Sequence, residues 1–247
     1  MAPWLSAFDA RNPDWERASE PPSLASGHYL GTDAIGRDLF VRTAHGGRLS
    51  LLVGVSAALV ALLVGTLYGA FAGFIGGTTG QALMRAVDLL ATLPFLLLVI
   101  FVLTLLRPSL TLLILLLASY GWLDVARVVR LEAVALSSKS FMQAGETLGY
   151  SAGRRLLRHL LPNLLPFALL ALSVALPQAV LMESYLSFLG VSPAEAQGSL
   201  GSLLADGMQD REYAPWTLIV PALVLTLLLY SLQELTDGLR DWLEARR

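Results

Sequence analysis

Three histidines, one lysine and no cysteine leave this chain few groups for covalent or metal chemistry. Without cysteine there are no disulfides, thiolate metal sites or sulfur nucleophiles. His28, Asp33, Asp38 and His45 are the tempting metal cluster, but their spacing matches no ligand motif, so capping or solvated roles are the expectation. No His-Glu-x-x-His or Gly-x-Ser-x-Gly occurs, and Lys139, the only lysine, does not follow a glycine. A phosphate loop needs that Gly-Lys pair. The chain is therefore expected to bind no metal or cofactor and to catalyse nothing, ATP hydrolysis included.

Polar groups inside apolar sequence are a second kind of signal. The stretch 161–188 holds Ser173, Gln178 and Glu183 among leucines and alanines, together with Pro162, Pro166 and Pro177. An ionisable residue in such a run is costly and faces a cavity or a partner, so these three are candidates for lining a path; the alternative puts Glu183 at an outer interface. Prolines in such helices are tolerated where neighbours satisfy the freed carbonyls. Gly65, Gly69 and Gly73 recur at four-residue spacing, downstream of Ala57 and Ala61, a stripe on which another helix can pack closely, internal or from a partner. Asp124 and Arg127 are one turn apart and read as a local pair, and Asp88 reads as a boundary residue.

The most unusual stretch is 127–160, too polar to cross a bilayer and too patterned for a linker. Val128, Val129, Leu131, Val134 and Leu136 continue the preceding helix. Ser140 is expected to cap a short helix through Phe141, Met142, Ala144 and Leu148, which Gly149 ends, and Ser151 to cap a basic helix with Arg154, Arg155 and Arg158. Such an element can be gripped by another protein.

The elements that must position these residues are membrane helices. Of 247 residues 55% are hydrophobic and 15% charged, mean hydropathy is +0.63, and residues 49–84 carry no charge at all. Soluble domains carry about 25% charged residues. A net charge of −2 offers no field for nucleic acid, and from the first 30 residues, charged and without an apolar core, no cleavable signal peptide is expected. The expectation is an all-α polytopic membrane helix bundle with about five transmembrane helices, near 50–75, 86–106, 109–126, 161–188 and 215–236. Residues 1–48 would be an external segment with a short interfacial helix begun at Thr32-Asp33 and running through Val41, 49–238 the membrane domain with its loop 127–160, and 239–247 a cytoplasmic tail. Ten basic residues then fall on one face, six of them in 127–160, against seven on the other. The ten-residue face is read as cytoplasmic, the N-terminus as outside and the C-terminus as inside.

The run MQAGETLGYSAGRRLLRHLLPN (142–163) resembles the cytoplasmic coupling loop of ABC-importer permeases. Gln143-Ala144-Gly145 stands where that pattern has Glu-Ala-Ala, Gly149 for its glycine, His159 for a hydrophobic position and Leu161-Pro162 for its end; Gln143 and Gly145 depart from it. LGTDAIGRDLFVR (30–42), MRAVDLLATLP (84–94), RHLLPNLLP (158–166), ESYLSFLG (183–190) and the tail DGLRDWLEARR (237–247) are similar to the dipeptide, oligopeptide and nickel permeases, C-type subunit. The resemblance implies a permease forming half of a translocation path for peptides, with nickel or another small solute as the alternative and a stand-alone secondary transporter a more distant one.

It also implies partners: a second homologous permease subunit, cytoplasmic ATP-binding subunits, and an extracytoplasmic solute-binding protein. The ATPase-coupling residues would be Phe141, Gln143, Ala144, Gly145, Leu148 and Gly149, with Phe141, Ala144 and Leu148 facing a groove on the ATPase. Members of this type carry one more span upstream, and residues 2–23 resemble the external loop after it, so either five spans or an abbreviated start is expected. The loop VSPAEAQGSLGSLL (191–204) lacks the tryptophan usual there.

Overall fold

Among the described residues the chain forms nine α-helices, most of them parted at a proline or a glycine. The computed structural model describes residues 13–191, 193 and 198–244; the start of the N-terminal segment, part of the 191–204 loop and the last three residues of the tail lie outside them. The helices are α1 (Leu39–Ile75), α2 (Gly77–Ala91), α3 (Phe95–Leu105), α4 (Leu110–Ser137), α5 (Ser140–Thr147), α6 (Ala152–Arg155), α7 (Leu161–Phe188), α8 (Leu200–Asp210) and α9 (Trp216–Glu244). A π-helical turn, Leu156–Leu160, joins α6 to α7. Among the described residues no strand forms, and Thr32 and Asp38 make one isolated β-bridge.

Among the described residues four stretches are long and apolar enough to cross a membrane: Leu39–Ile75, Leu110–Ser137, Ala152–Phe188 and Trp216–Leu243. The pair α2 and α3 meets the same test jointly but is bent by 75°. Pro94 causes the break, because it restricts Leu93 before it and cannot donate to a helix. The Thr92 hydroxyl donates to Leu89 O at 2.7 Å, and α3 restarts with Leu98 N–H bonded to Pro94 O. The region near 86–106 is thus two helices and not one straight span.

Two further elements differ from the sequence expectation. No helix starts at Thr32-Asp33; residues 39–48 are the first turns of α1, whose N-cap is Asp38, accepting from Val41 N–H at 2.9 Å. Within these turns Arg42 is buried. At the other end α9 runs through 239–244, so the described part of the tail continues a helix.

By contacts the chain divides into Met1–Val55, Leu106–Leu113 and Val180–Leu232 on one hand, and Ser56–Leu105, Ile114–Ala179 and Gln233–Arg247 on the other. In the first unit α8 lies against helix backbones: a Cβ at Gly201 would strike Ser184 O, one at Gly207 would strike Thr217 O, and Leu200 N–H donates to Ser50 Oγ at 3.2 Å. Its N-cap Ser199 accepts from Ser202 N–H. In the second unit the core joins Ala70, Val125, Val129, Ala133, Met142, Leu160, Leu164, Ala168 and Ala171.

Within that second unit the glycine stripe of α1 meets α4. A Cβ on Gly65 would lie 2.6 Å from Val125 Cβ, on Gly69 2.5 Å from Ala126 O, and on Gly73 2.5 Å from Ala133 Cβ. The contacts advance together along both chains, so α1 and α4 run parallel. The seam is internal to the chain.

Candidate functional site

Helix α5 is held on one side and open on the other. Met142, 2% exposed, and Gly145 are buried, and Met142 belongs to the core with Val129, Ala133, Leu160 and Leu164. Phe141 (38% exposed), Gln143, Ala144, Leu148 (69%) and Gly149 are outward. Phe141, Ala144 and Leu148 share a helix face by their spacing. Phe141 and Leu148 leave apolar surface in the open. Arg155 Nη1 ties the helix down through Glu146 Oε2 at 2.8 Å.

The ends of α5 follow from backbone chemistry. Ser140 is not the cap: Lys139 is the extended N-cap residue, with no side-chain cap bond, and its carbonyl accepts from Met142 N–H and Gln143 N–H. At the other end Gly149 N–H bonds Glu146 O at 2.9 Å and Tyr150 N–H bonds Gly145 O at 3.0 Å, a Schellman closure. Gly149 has φ +75°, while an added Cβ would meet nothing within 4 Å. The requirement for glycine is conformational, about 1–2 kcal/mol for an ordinary L-residue, and not steric. Ser151 then accepts from Arg154 N–H and caps α6.

The three path candidates fare differently. Gln178 presents its side chain outward. Ser173 is half-buried and its hydroxyl returns to Leu170 O at 2.8 Å. The Ser173 carbonyl would be the partner of residue 177, but Pro177 has no N–H; Thr236 Oγ1 of α9 donates there instead, at 2.6 Å. Glu183 is 0% exposed, accepting from Ser187 Oγ at 2.8 Å and Ser184 Oγ at 3.3 Å. Its carboxylate is enclosed by the chain and does not extend to a surface.

Sequence reasoning missed a polar network in the first unit. Asp33 accepts from Ile35 N–H and Arg37 N–H and pairs with Arg37 Nε at 2.7 Å and with Arg42 Nη1. Arg42 Nη2 also reaches Asp206 Oδ2 of α8 at 3.0 Å. His28 Nδ1 lies 2.8 Å from Asp38 Oδ2, both buried, and Trp216 Nε1 donates to Thr32 O at 3.0 Å. Asp33 and Asp38 do cap turns, but they are buried and paired rather than solvated. His45 is exposed and away from them in burial, and the described residues hold no group of three or more potential metal ligands. Burial first, then the charges of Asp206 and Asp33, raise the pKa of Asp210, against the opposing pull of Arg42. In the second unit Arg127 pairs with Asp124 at 2.7 Å and also with Asp88 of α2 at 3.2 Å.

Long apolar helices, buried polar caps and one exposed apolar helix held beside them define a multi-pass membrane subunit of the permease kind. Residues 65–247 match the family described as binding-protein-dependent transport system inner membrane component. The chain belongs to that family. It is 42% identical over 246 residues to the oligopeptide transport system permease protein OppC of Escherichia coli (strain K12), covering 100% of this chain and 82% of that protein. It is 40% identical over 246 residues to the protein of the same name from Haemophilus influenzae (strain ATCC 51907 / DSM 11121 / KW20 / Rd), covering 100% and 79%. Among solved structures it is similar in fold to a chain of the MetNI methionine ABC transporter in inward facing conformations, with a TM-score of 0.64 and 18% identity over 81% of this chain and 95% of that one.

Proposed function

We propose that this chain forms half of the translocation path of an ATP-driven peptide importer. A second homologous permease subunit completes the path, separate cytoplasmic subunits hydrolyse the ATP, and an extracytoplasmic solute-binding protein delivers the cargo. The peptide assignment rests on the oligopeptide permeases that share 40–42% of its residues. The N-terminus lies outside and the C-terminus in the cytoplasm, in keeping with the excess of basic residues around α5. Gln178 is the path-lining residue we retain, whereas Ser173 and Glu183 serve packing.

One observation carries the coupling role: Phe141, Ala144 and Leu148 stand outward on a helix whose other side is fixed by Met142 and by the Arg155–Glu146 pair. A body pushing on that face moves the ends of α4 and α7 with it, since Met142 packs among their side chains. ATP-driven closure of the ATPase pair thereby rocks the spans, a rigid-body transition. The test is Phe141→Asp with Leu148→Asp. These exposed changes leave the membrane fold and the protein level intact, while co-purification of the ATPase and peptide uptake in vesicles fall at least tenfold, a cost of about 1.4 kcal/mol or more. Uptake that persists without any ATPase ends the reading.

A further inference from the structure

The second unit carries a built cationic feature that the coupling role does not use. The Arg154 guanidinium lies 4.3 Å from the centre of the Tyr150 ring. The Tyr150 and His159 rings are stacked in turn, 5.6 Å apart and inclined by only 10°. Tyr150 thus meets both a guanidinium and an imidazole ring. Two backbone features create it: the Schellman closure at Gly149 delivers Tyr150, and the π-helical turn 156–160 sets His159 beneath it. The turn precedes Pro162, whose ring would crowd the Arg158 carbonyl in a regular helix. Asn163 Nδ2 fixes the His159 carbonyl at 2.6 Å.

A stacked guanidinium keeps its in-plane N–H donors free and fixed in direction, the geometry that suits two oxygens of a phosphate. Arg158, one turn on, is exposed like Arg154, and neither makes an ion pair among the described residues. Arg155, between them in sequence, is by contrast committed to Glu146. Beside these two cations Leu157 and then Leu165 and Leu169 of the same helix are exposed, an apolar stripe continuing into a membrane-length segment. The positive-inside bias accounts for arginines at this end of a span. It does not account for a guanidinium held over a tyrosine that is itself stacked on a histidine, beside a stripe of exposed leucines.

We propose that Arg154, Arg158 and the Tyr150–His159 stack form a binding site for the phosphate of an anionic phospholipid headgroup, with the acyl chains along Leu157, Leu165 and Leu169. The charge of the site fits a phosphodiester, and its continuity with the apolar stripe selects a lipid over a soluble anion. Basic pockets at the base of membrane helices recognise such headgroups. The site does not depend on the orientation or on the coupling role proposed above.

The full chain in phosphatidylcholine nanodiscs is titrated with spin-labelled phosphatidylglycerol, and the selectivity over spin-labelled phosphatidylcholine is read from the immobilised component. Arg154→Gln and Arg158→Gln each lower the selectivity about fivefold, Arg154→Lys retains part of it, and Tyr150→Ala lowers it with both charges still present. Arg107→Gln, an exposed arginine elsewhere, leaves it unchanged. Equal loss in Arg107→Gln reduces the effect to net charge and overturns the site. So does unchanged selectivity in the Arg154→Gln, Arg158→Gln double variant, or displacement of the labelled lipid by inorganic phosphate alone, which would assign the cations to a soluble anion. If the double variant instead loses the ATPase while lipid selectivity stands, the arginines belong to a protein interface and the proposal fails.

Discussion

A single missing N–H explains why one threonine sits where it does. Pro177 leaves the Ser173 carbonyl without its helical donor, and Thr236 Oγ1 supplies one from α9. Thr236→Val keeps the shape and removes the donor, so it is expected to lower stability by about 1 kcal/mol. In a Pro177→Ala background the restored N–H serves the carbonyl, and the same change costs less than half as much. Thermal unfolding of the four proteins in detergent checks the cycle; equal costs in both backgrounds would refute the link. Asp210 gives a prediction of sign. Burial and its acidic neighbours raise its pKa above the ordinary 3.8, so the native chain holds this proton more tightly than the unfolded one. That contribution is complete below pH 3.8 and is lost as the pH rises through the raised value. Asp210→Asn should therefore raise the unfolding temperature at neutral pH and leave it unchanged in strong acid. A lower temperature at neutral pH would show that Asp210 is held there as a useful anion.

The parallel packing of α1 on α4 is set by backbone contact rather than by side-chain fit. Gly69→Ala pushes a methyl against Ala126 O at 2.5 Å and Arg130 N at 3.1 Å, groups that cannot swing aside. Separation of the helices should cost roughly 1–3 kcal/mol. Gly153→Ala in α6, where a Cβ meets nothing within 4 Å, should be neutral or slightly stabilising. Comparable losses at both positions in a detergent melting assay would mean that helix propensity, not the seam, decides. This stripe was legible in the sequence because close packing in lipid needs small residues at i and i+4, a local pattern. The Ser151 cap and the Asp124–Arg127 pair were legible for the same reason. Helix α8 was not. Its first turn, with Gly201, read as part of the 191–204 loop, and only the carbonyls of Ser184 and Thr217 against Gly201 and Gly207 explain why glycine is required. Arg42, counted in the sequence only among the basic residues of one face, has a partner, Asp206, 164 positions away, so its ion pair could not be read from local spacing. Ser173 and Glu183 were legible as polar residues in an apolar run, but their hydrogen-bond partners within a turn, Leu170 O for Ser173 and Ser184 and Ser187 for Glu183, were not.

At the scale of the whole molecule the open number is four spans or five, and helix direction decides it. Because α1 and α4 run parallel, the chain between them must return across the membrane once, and α2 with α3 is the available segment. Helices of 15 and 11 residues bent by 75° reach about 31 Å end to end at 1.5 Å per residue, against roughly 30 Å of hydrocarbon. The bent pair therefore suffices as one crossing. A re-entrant pair, entering and leaving by one face, would make α4 antiparallel to α1, contrary to the seam at Gly65, Gly69 and Gly73. The chain contains no cysteine, so single substitutions report sidedness directly. Thr78→Cys and Lys139→Cys, at the start of α2 and just before α5, should react with an impermeant maleimide from one face of the membrane only. Pro108→Cys, between α3 and α4, and Tyr213→Cys, before α9, should react from the opposite face only. With the N-terminus outside, the first pair is cytoplasmic, and right-side-out cells label only the second. Labelling of Thr78→Cys and Pro108→Cys from the same face would make 77–105 re-entrant, leave four crossings, and return both ends of the chain to one side.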